Sequence, residues 1–154
     1  MFALAAWVAV SGACTKNKET PPGGNVLDTL ESTTIDGVSF NGETLKGKPS
    51  IVMFVSPTCP HCLKEIPIAD KVAKEKNANV VAVFIVGKAE NAKGVIEHTK
   101  FTGDVLIDDG SLKKRYGVRA VPYTLVLDAT GKARQAFRGA QEGDVLSDAL
   151  ADAR

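Results

Sequence analysis

Residues 50–62 read SIVMFVSPTCPHC, and LKEIPIAD follows at 63–70. The run SIVMFVS is apolar and of strand length, which predicts a strand buried on both faces in the middle of a sheet. From Pro60 the pattern becomes helical. Leu63, Ile66, Ile68 and Val72 are apolar, with Lys64, Glu65, Asp70, Lys71 and Lys74 between them. Pro67 lies inside this helix and should kink it. Cys59 and Cys62 therefore fall where a buried strand gives way to a helix. At that spacing they could be a metal half-site, a structural staple or a redox pair.

A zinc site built of cysteines needs four ligands, usually two such pairs. This chain has one pair, and its two histidines are His61 and His98. His61 stands between the cysteines, poorly placed to ligate the same ion, so no metal is expected. A c-type haem site needs histidine directly after the second cysteine, and residue 63 is Leu. A disulfide spanning two residues closes so short a loop that it removes little entropy from the unfolded chain. The redox reading has a better physical basis. Pro60 suits the first helical position, and free N–H groups at a helix start stabilise negative charge and lower a thiol pKa. Cys59 then attacks a partner disulfide and Cys62, one turn further in and more sheltered, resolves the mixed disulfide. His61 adds a dipole or partial positive charge beside the pair, or is simply exposed. Such a pair is its own redox centre and needs no bound cofactor.

Working outward, 154 residues suffice for one domain with a real core. Hydrophobic residues make up 44% and charged residues 24%, as in soluble globular folds. The formal net charge of +1 gives no reason to expect nucleic acid as a partner. Lys113, Lys114 and Arg115 cluster, but a three-residue basic run reads as a solvated helix face. Residues 1–13, MFALAAWVAVSGA, carry no charge. They are too short to span a bilayer as a stable helix, and read as the apolar core of a secretory signal. Its basic n-region is missing, which points to a start further upstream or a trimmed one. SGAC at 11–14 resembles the bacterial lipobox, making Cys14 the expected acylation site and membrane anchor. Ser11 stands where an aliphatic residue is common, and the same small residues suit ordinary cleavage, so plain secretion is the alternative. Acylation of Cys14 would also explain the odd cysteine of three and leave the other two self-contained. Residues 14–25, rich in Pro, Gly and polar side chains, read as a flexible tether. The folded domain is expected over 26–154.

Within it, Asp36-Gly37 marks an N-terminal hairpin. NVVAVFIVG at 79–87 is a second buried strand, AENAKGVIEHTK a helix weakened by Gly94, and GDVLIDD a short strand. SLKKRYG is a short helix closed by Gly117, and YTLVLDATGKARQAFRG a hairpin turning at Ala129-Thr130-Gly131. EGDVLSDALADAR is a terminal helix with Val145, Leu146, Ala149 and Leu150 facing inward. Strands alternating with helices imply an α/β fold, a central sheet covered on both faces.

With CPHC after a buried strand, Pro67 in the helix that follows and VRAVPYTLVLDATGK at 118–132, the chain resembles thioredoxin-fold thiol–disulfide oxidoreductases. KEIP at 64–67 is similar to the envelope-anchored TlpA/ResA-like group, and the likeness covers roughly residues 26–153. It implies a three-layer fold with a central mixed sheet, a cis Pro122 packed against the cysteines, and Val121 backbone groups that pair with an incoming peptide. It also implies a place in the bacterial cell envelope, facing the periplasm or exterior, and a monomer is the plain expectation. Its partners would be thiol- or disulfide-bearing exported proteins and a membrane redox partner, and its role reduction, as in cytochrome c maturation. Some residues depart from the pattern. Met53 stands where thioredoxins bury an Asp, and Thr58 where an aromatic residue precedes the first cysteine. Val121 and Pro60-His61 are more like disulfide-donating oxidases, so disulfide donation is an alternative. A non-catalytic binding lipoprotein with a static disulfide is another. Glu65 reads first as a solvated helix residue, with a proton acceptor near the pair as the alternative. A peroxiredoxin fits poorly: Ser56 matches its motif, but Val52 stands where that motif has proline.

Overall fold

In the computed structural model, residues 17–85 and 88–154 are described. The apolar run 1–13 and Cys14 lie outside them. The strands are β1 (Lys18–Glu19), β2 (Glu31–Thr34), β3 (Ser39–Asn41), β4 (Ser50–Val55), β5 (Asn79–Phe84), β6 (Asp104–Ile107), β7 (Tyr123–Leu127) and β8 (Ala133–Arg138). The helices are α1 (Pro60–Glu75), α2 (Ala89–Thr99), α3 (Ser111–Arg115) and α4 (Gly143–Asp152). One mixed sheet runs in the order β1-β8-β7-β4-β5-β6-β2-β3. β4, β5 and β6 are parallel, and their remaining partners are antiparallel.

β4 is central, as its sequence requires, and all six of its residues are buried. Alternation along a strand sends its side chains to opposite faces. Ile51, Met53 and Val55 pack with α1, α2 and α4 through Ile66, Ala69, Ala92, Leu146 and Leu150. Val52 and Phe54 face the other way, onto Leu112 of α3, Tyr123, and Leu27 and Leu30 of the N-terminal segment. This is the expected three-layer arrangement. Burying each such side chain stabilises the fold by about 1.5–3 kcal/mol, which makes β4 a rigid base for the loop that follows it.

The hairpin of β2 and β3 turns at Gly37, whose φ of +82° places it in the left-handed region. It adds to the sheet through Thr33 and Thr34 opposite Ile107 and Leu106. In the β7–β8 turn, Asp128 accepts from the backbone N–H groups of Thr130 and Lys132, the Thr130 hydroxyl and Arg134 Nε. Within the segment expected as a tether, Lys18 and Glu19 pair with Phe137 and Ala136, and Asn25 bridges Lys132. One expectation is corrected in α4: Val145 is 36% exposed, while Leu146, Ala149 and Leu150 are buried. Position 145 lies just off the apolar stripe that Leu146 and Leu150 define. Among the described residues, no helix is long and apolar enough to cross a membrane.

Candidate active site

β4 ends at Val55, and Ser56, Pro57 and Thr58 carry the chain over to Cys59. Cys59 has extended backbone angles (φ −96°, ψ 109°) and caps α1, with Pro60 in its first turn. The Cys62 backbone N–H donates to Cys59 Sγ over 3.2 Å. The sulfur occupies the place of a capping oxygen, where N–H groups without helical acceptors favour negative charge. Cys59 is half-buried, Cys62 is fully buried, and both are free thiols. The geometry gives one sulfur access to a partner and shelters the other. Burial pushes the Cys62 thiol far above its ordinary range; the bonded Cys59 thiol adds to this, and the Ser56 backbone amide offsets part of it. Cys62 is therefore a protonated thiol that needs help to ionise. His61 is exposed in the first turn of α1.

The second wall comes from the start of β7. The Val121–Pro122 peptide bond is cis, and the Cys59 thiol donates to the Val121 carbonyl over 3.8 Å. The Pro122 carbonyl accepts from the Gly139 N–H, which ties this segment to the end of β8. The structure thus brings Cys59, Cys62, Val121 and Pro122 together, whereas Cys14 lies outside the described residues. Beside the site, a shallow and largely apolar groove of about 550 Å³ runs from Pro57, Thr58 and Leu63 to Asn91, Gly94 and His98.

Glu65 overturns its sequence reading. Its side chain is not solvated but fully buried, one turn along α1 from Cys62 on the same covered face. Thr124 Oγ1 donates to Glu65 Oε1 over 2.8 Å, and Oε2 is buried with no hydrogen-bond partner. Burial raises the carboxyl from its ordinary 4.5 to about 7, even though the Thr124 hydroxyl and the Gln141 backbone amide pull it down. A signal for this was present. Cys62, Ile66, Ala69, Val72 and Ala73 form the buried stripe of α1, and position 65 falls inside it at helical spacing. Met53, in the place of the thioredoxins' buried Asp, pairs directly with Thr124 across the β4–β7 ladder. Here the acid reaches the same part of the core from the helix instead.

The model of the Redoxin family matches residues 15–152, and the chain belongs to that family. The methylamine utilization protein MauD of Methylobacillus flagellatus is 36% identical over 101 residues, which are 64% of this chain and 49% of that protein. The thiol:disulfide interchange protein DsbE of Pseudomonas fluorescens is 33% identical over 111 residues, 70% of this chain and 61% of DsbE. The chain thus spans about half to three-fifths of the length of these relatives. Among solved structures, a secreted disulfide oxidoreductase of Mycobacterium tuberculosis, homologous to the Escherichia coli DsbE, is 28% identical. It aligns with a TM-score of 0.72 over 80% of this chain and 95% of its own. The thioredoxin-like fold and the likeness to thiol–disulfide oxidoreductases both stand on these matches.

Proposed function

We propose that the chain is an envelope thiol–disulfide oxidoreductase that reduces cysteine pairs of exported proteins through Cys59 and Cys62. One observation carries the reading: Cys59 Sγ caps α1 and contacts the Val121 carbonyl beside the cis peptide bond, with Cys62 sheltered one turn behind. As a thiolate, Cys59 attacks a partner disulfide. A bond forms between Cys59 Sγ and one partner sulfur, and the other partner sulfur leaves as a thiolate. Val121 backbone groups hold the partner segment in strand fashion while this happens. Cys62 then loses its proton to Glu65 and attacks Cys59 Sγ, which expels the second partner sulfur. The protein dithiol gives up two electrons and becomes a disulfide, and the partner disulfide becomes two thiols. No bound cofactor enters either step. Regeneration requires a dithiol donor, for which a membrane redox partner is the proposed source, with Cys14 as the lipid anchor that holds the domain near it.

Likeness to a thiol:disulfide interchange protein supports the exchange chemistry, and a role in cytochrome c maturation is the finer form of the proposal. Pro60-His61 and Val121 favour a second reading, disulfide donation, in which the same steps run backwards. A non-catalytic binding lipoprotein is the third. The test is to incubate the Cys62→Ser variant with a disulfide-bearing exported protein and look for a covalent adduct at Cys59. A stable adduct that reductant releases is expected. A wild-type Cys59 that alkylates no faster than a free cysteine, with no adduct in the variant, would leave the binding lipoprotein standing.

A further inference from the structure

We infer that Thr124 is a positioning residue for proton transfer: its hydroxyl fixes Oε1 of Glu65 and leaves Oε2, buried and unpartnered, as the atom that receives the Cys62 proton. The inference rests on the exchange reading above. In the resolving step the Cys62 S–H bond breaks as an O–H bond forms at Oε2. The sulfur keeps the electron pair and uses it to bond Cys59 Sγ, and the partner thiolate leaves.

Thr124 is the one hydroxyl among the buried residues of β7, YTLVL, apart from the Tyr123 phenol. It shares a face with Val126 and pairs with Met53, so every neighbour along that stretch of sheet is apolar. Val would fit the strand equally well, and a buried hydroxyl without a partner costs free energy. The hydroxyl is spent on a single acceptor, Glu65 Oε1. A carboxyl held at one oxygen cannot rotate freely, which keeps the other in one place. Thr124 can donate to Oε1 whether Oε2 is bare or protonated, so the contact survives the transfer it serves. β7 also begins beside Val121, whose carbonyl meets Cys59. The short segment from Val121 to Thr124, which leads into β7, therefore touches both the attacking sulfur and the acid.

The groups that face Glu65 are few. Along α1 the Cys62 thiol lies one turn away, near enough for the charge of Glu65 to raise it, and from β7 the Thr124 hydroxyl donates to Oε1. From the β8–α4 loop the Gln141 backbone amide pulls the carboxyl down without forming a hydrogen bond to Oε2, and that loop is pinned by Gln141 Nε2 donating to the Gly139 carbonyl. Among the described residues no Lys, Arg or His contributes to the state of Glu65. Loss of the Thr124 hydroxyl should thus read out directly in its titration.

The experiment loads Cys59 of the full chain with glutathione as a mixed disulfide and follows glutathione release as Cys62 attacks, between pH 5 and 9. In the wild type the rate should rise with a midpoint near 7. Thr124→Val should move that midpoint up by about one pH unit and slow release about tenfold at pH 6, the loss of one hydrogen bond to a charged group. Thr124→Ser, which keeps the hydroxyl, should restore it. The carbonyl band of protonated Glu65, followed by infrared against pH, should titrate with the same midpoints. Thr124→Ala supplies a second donor-less variant if the valine variant does not fold. An unmoved midpoint in the donor-less variants, or a serine variant that behaves like valine, would overturn the role of Thr124. If Glu65→Gln keeps the wild-type limb, the error lies in Glu65 as acceptor. If no variant releases glutathione, the exchange reading itself fails.

Discussion

Replacing Glu65 by Gln removes the ionisable group but keeps the shape and the acceptor for Thr124. The carboxyl has a folded-state pKa raised from 4.5 to about 7 by burial. Below about pH 4.5 it is protonated in both folded and unfolded chains and costs nothing. As pH rises toward 7 the unfolded chain ionises freely while the folded chain resists, so stability falls. Above 7 the full cost is present. At about 1.4 kcal/mol for each tenfold change in proton affinity, that cost is about 3 kcal/mol. The assay is urea unfolding of the wild type and of Glu65→Gln at several values between pH 4 and 8. The difference between the two curves cancels the other carboxylates, because they are common to both proteins. The variant should match the wild type within its own constant offset near pH 4 and gain on it steadily up to pH 8. A difference that stays flat across this range would refute the buried, proton-retaining carboxyl and the proton transfer built on it.

Asp128 should show the opposite dependence. Burial works against its charge, but hydrogen bonds from Thr130, Lys132 and Arg134 outweigh it and hold the carboxyl down to about 2. Its contribution is present above pH 3.8 and disappears as pH falls through 2, so Asp128→Asn should destabilise more at pH 7 than at pH 2.5 in thermal melts. Gly94 lies inside α2, and a Cβ built there meets nothing within 4 Å. Gly94→Ala should therefore stabilise the protein by about 1 kcal/mol in urea unfolding. Gly131 is the converse: its φ is +97° and a Cβ there would lie 2.2 Å from Asn25 Oδ1. Gly131→Ala should destabilise by about 1 kcal/mol or more, loosening the turn that the Val26 N–H reaches.

The elements around the cysteines were legible because each one satisfies a strong local rule. SIVMFV has no polar side chain after Ser50 and so can only be a central strand, and Pro60 with Cys59 before it marks a helix start. Asp36-Gly37 and Ala129-Thr130-Gly131 supply the turn chemistry that two hairpins require. Pro122 was read through resemblance, since nothing local to it demands a cis bond. Glu65 was misread because a charged side chain between Lys64 and Ile66 is normally on the solvent side. Its burial depends on Thr124, 59 residues away, and that pairing follows from the register of β4 with β7. Strand β1 is of the same kind: a polar pair such as Lys18-Glu19 joins a sheet only because β8 offers it an open edge. Val145 shows the limit of a hydrophobic stripe, where one position of rotation separates the core from its rim.

The central claim is that Cys59 and Cys62 form a dithiol that gives electrons to partner disulfides. Its most direct test is the reduction potential of the pair, measured by equilibrating the protein against glutathione and dithiothreitol buffers. The account predicts a value near that of thioredoxin, about −270 mV. A value near about −120 mV, that of a strong disulfide donor, would contradict it and reverse the direction of electron flow.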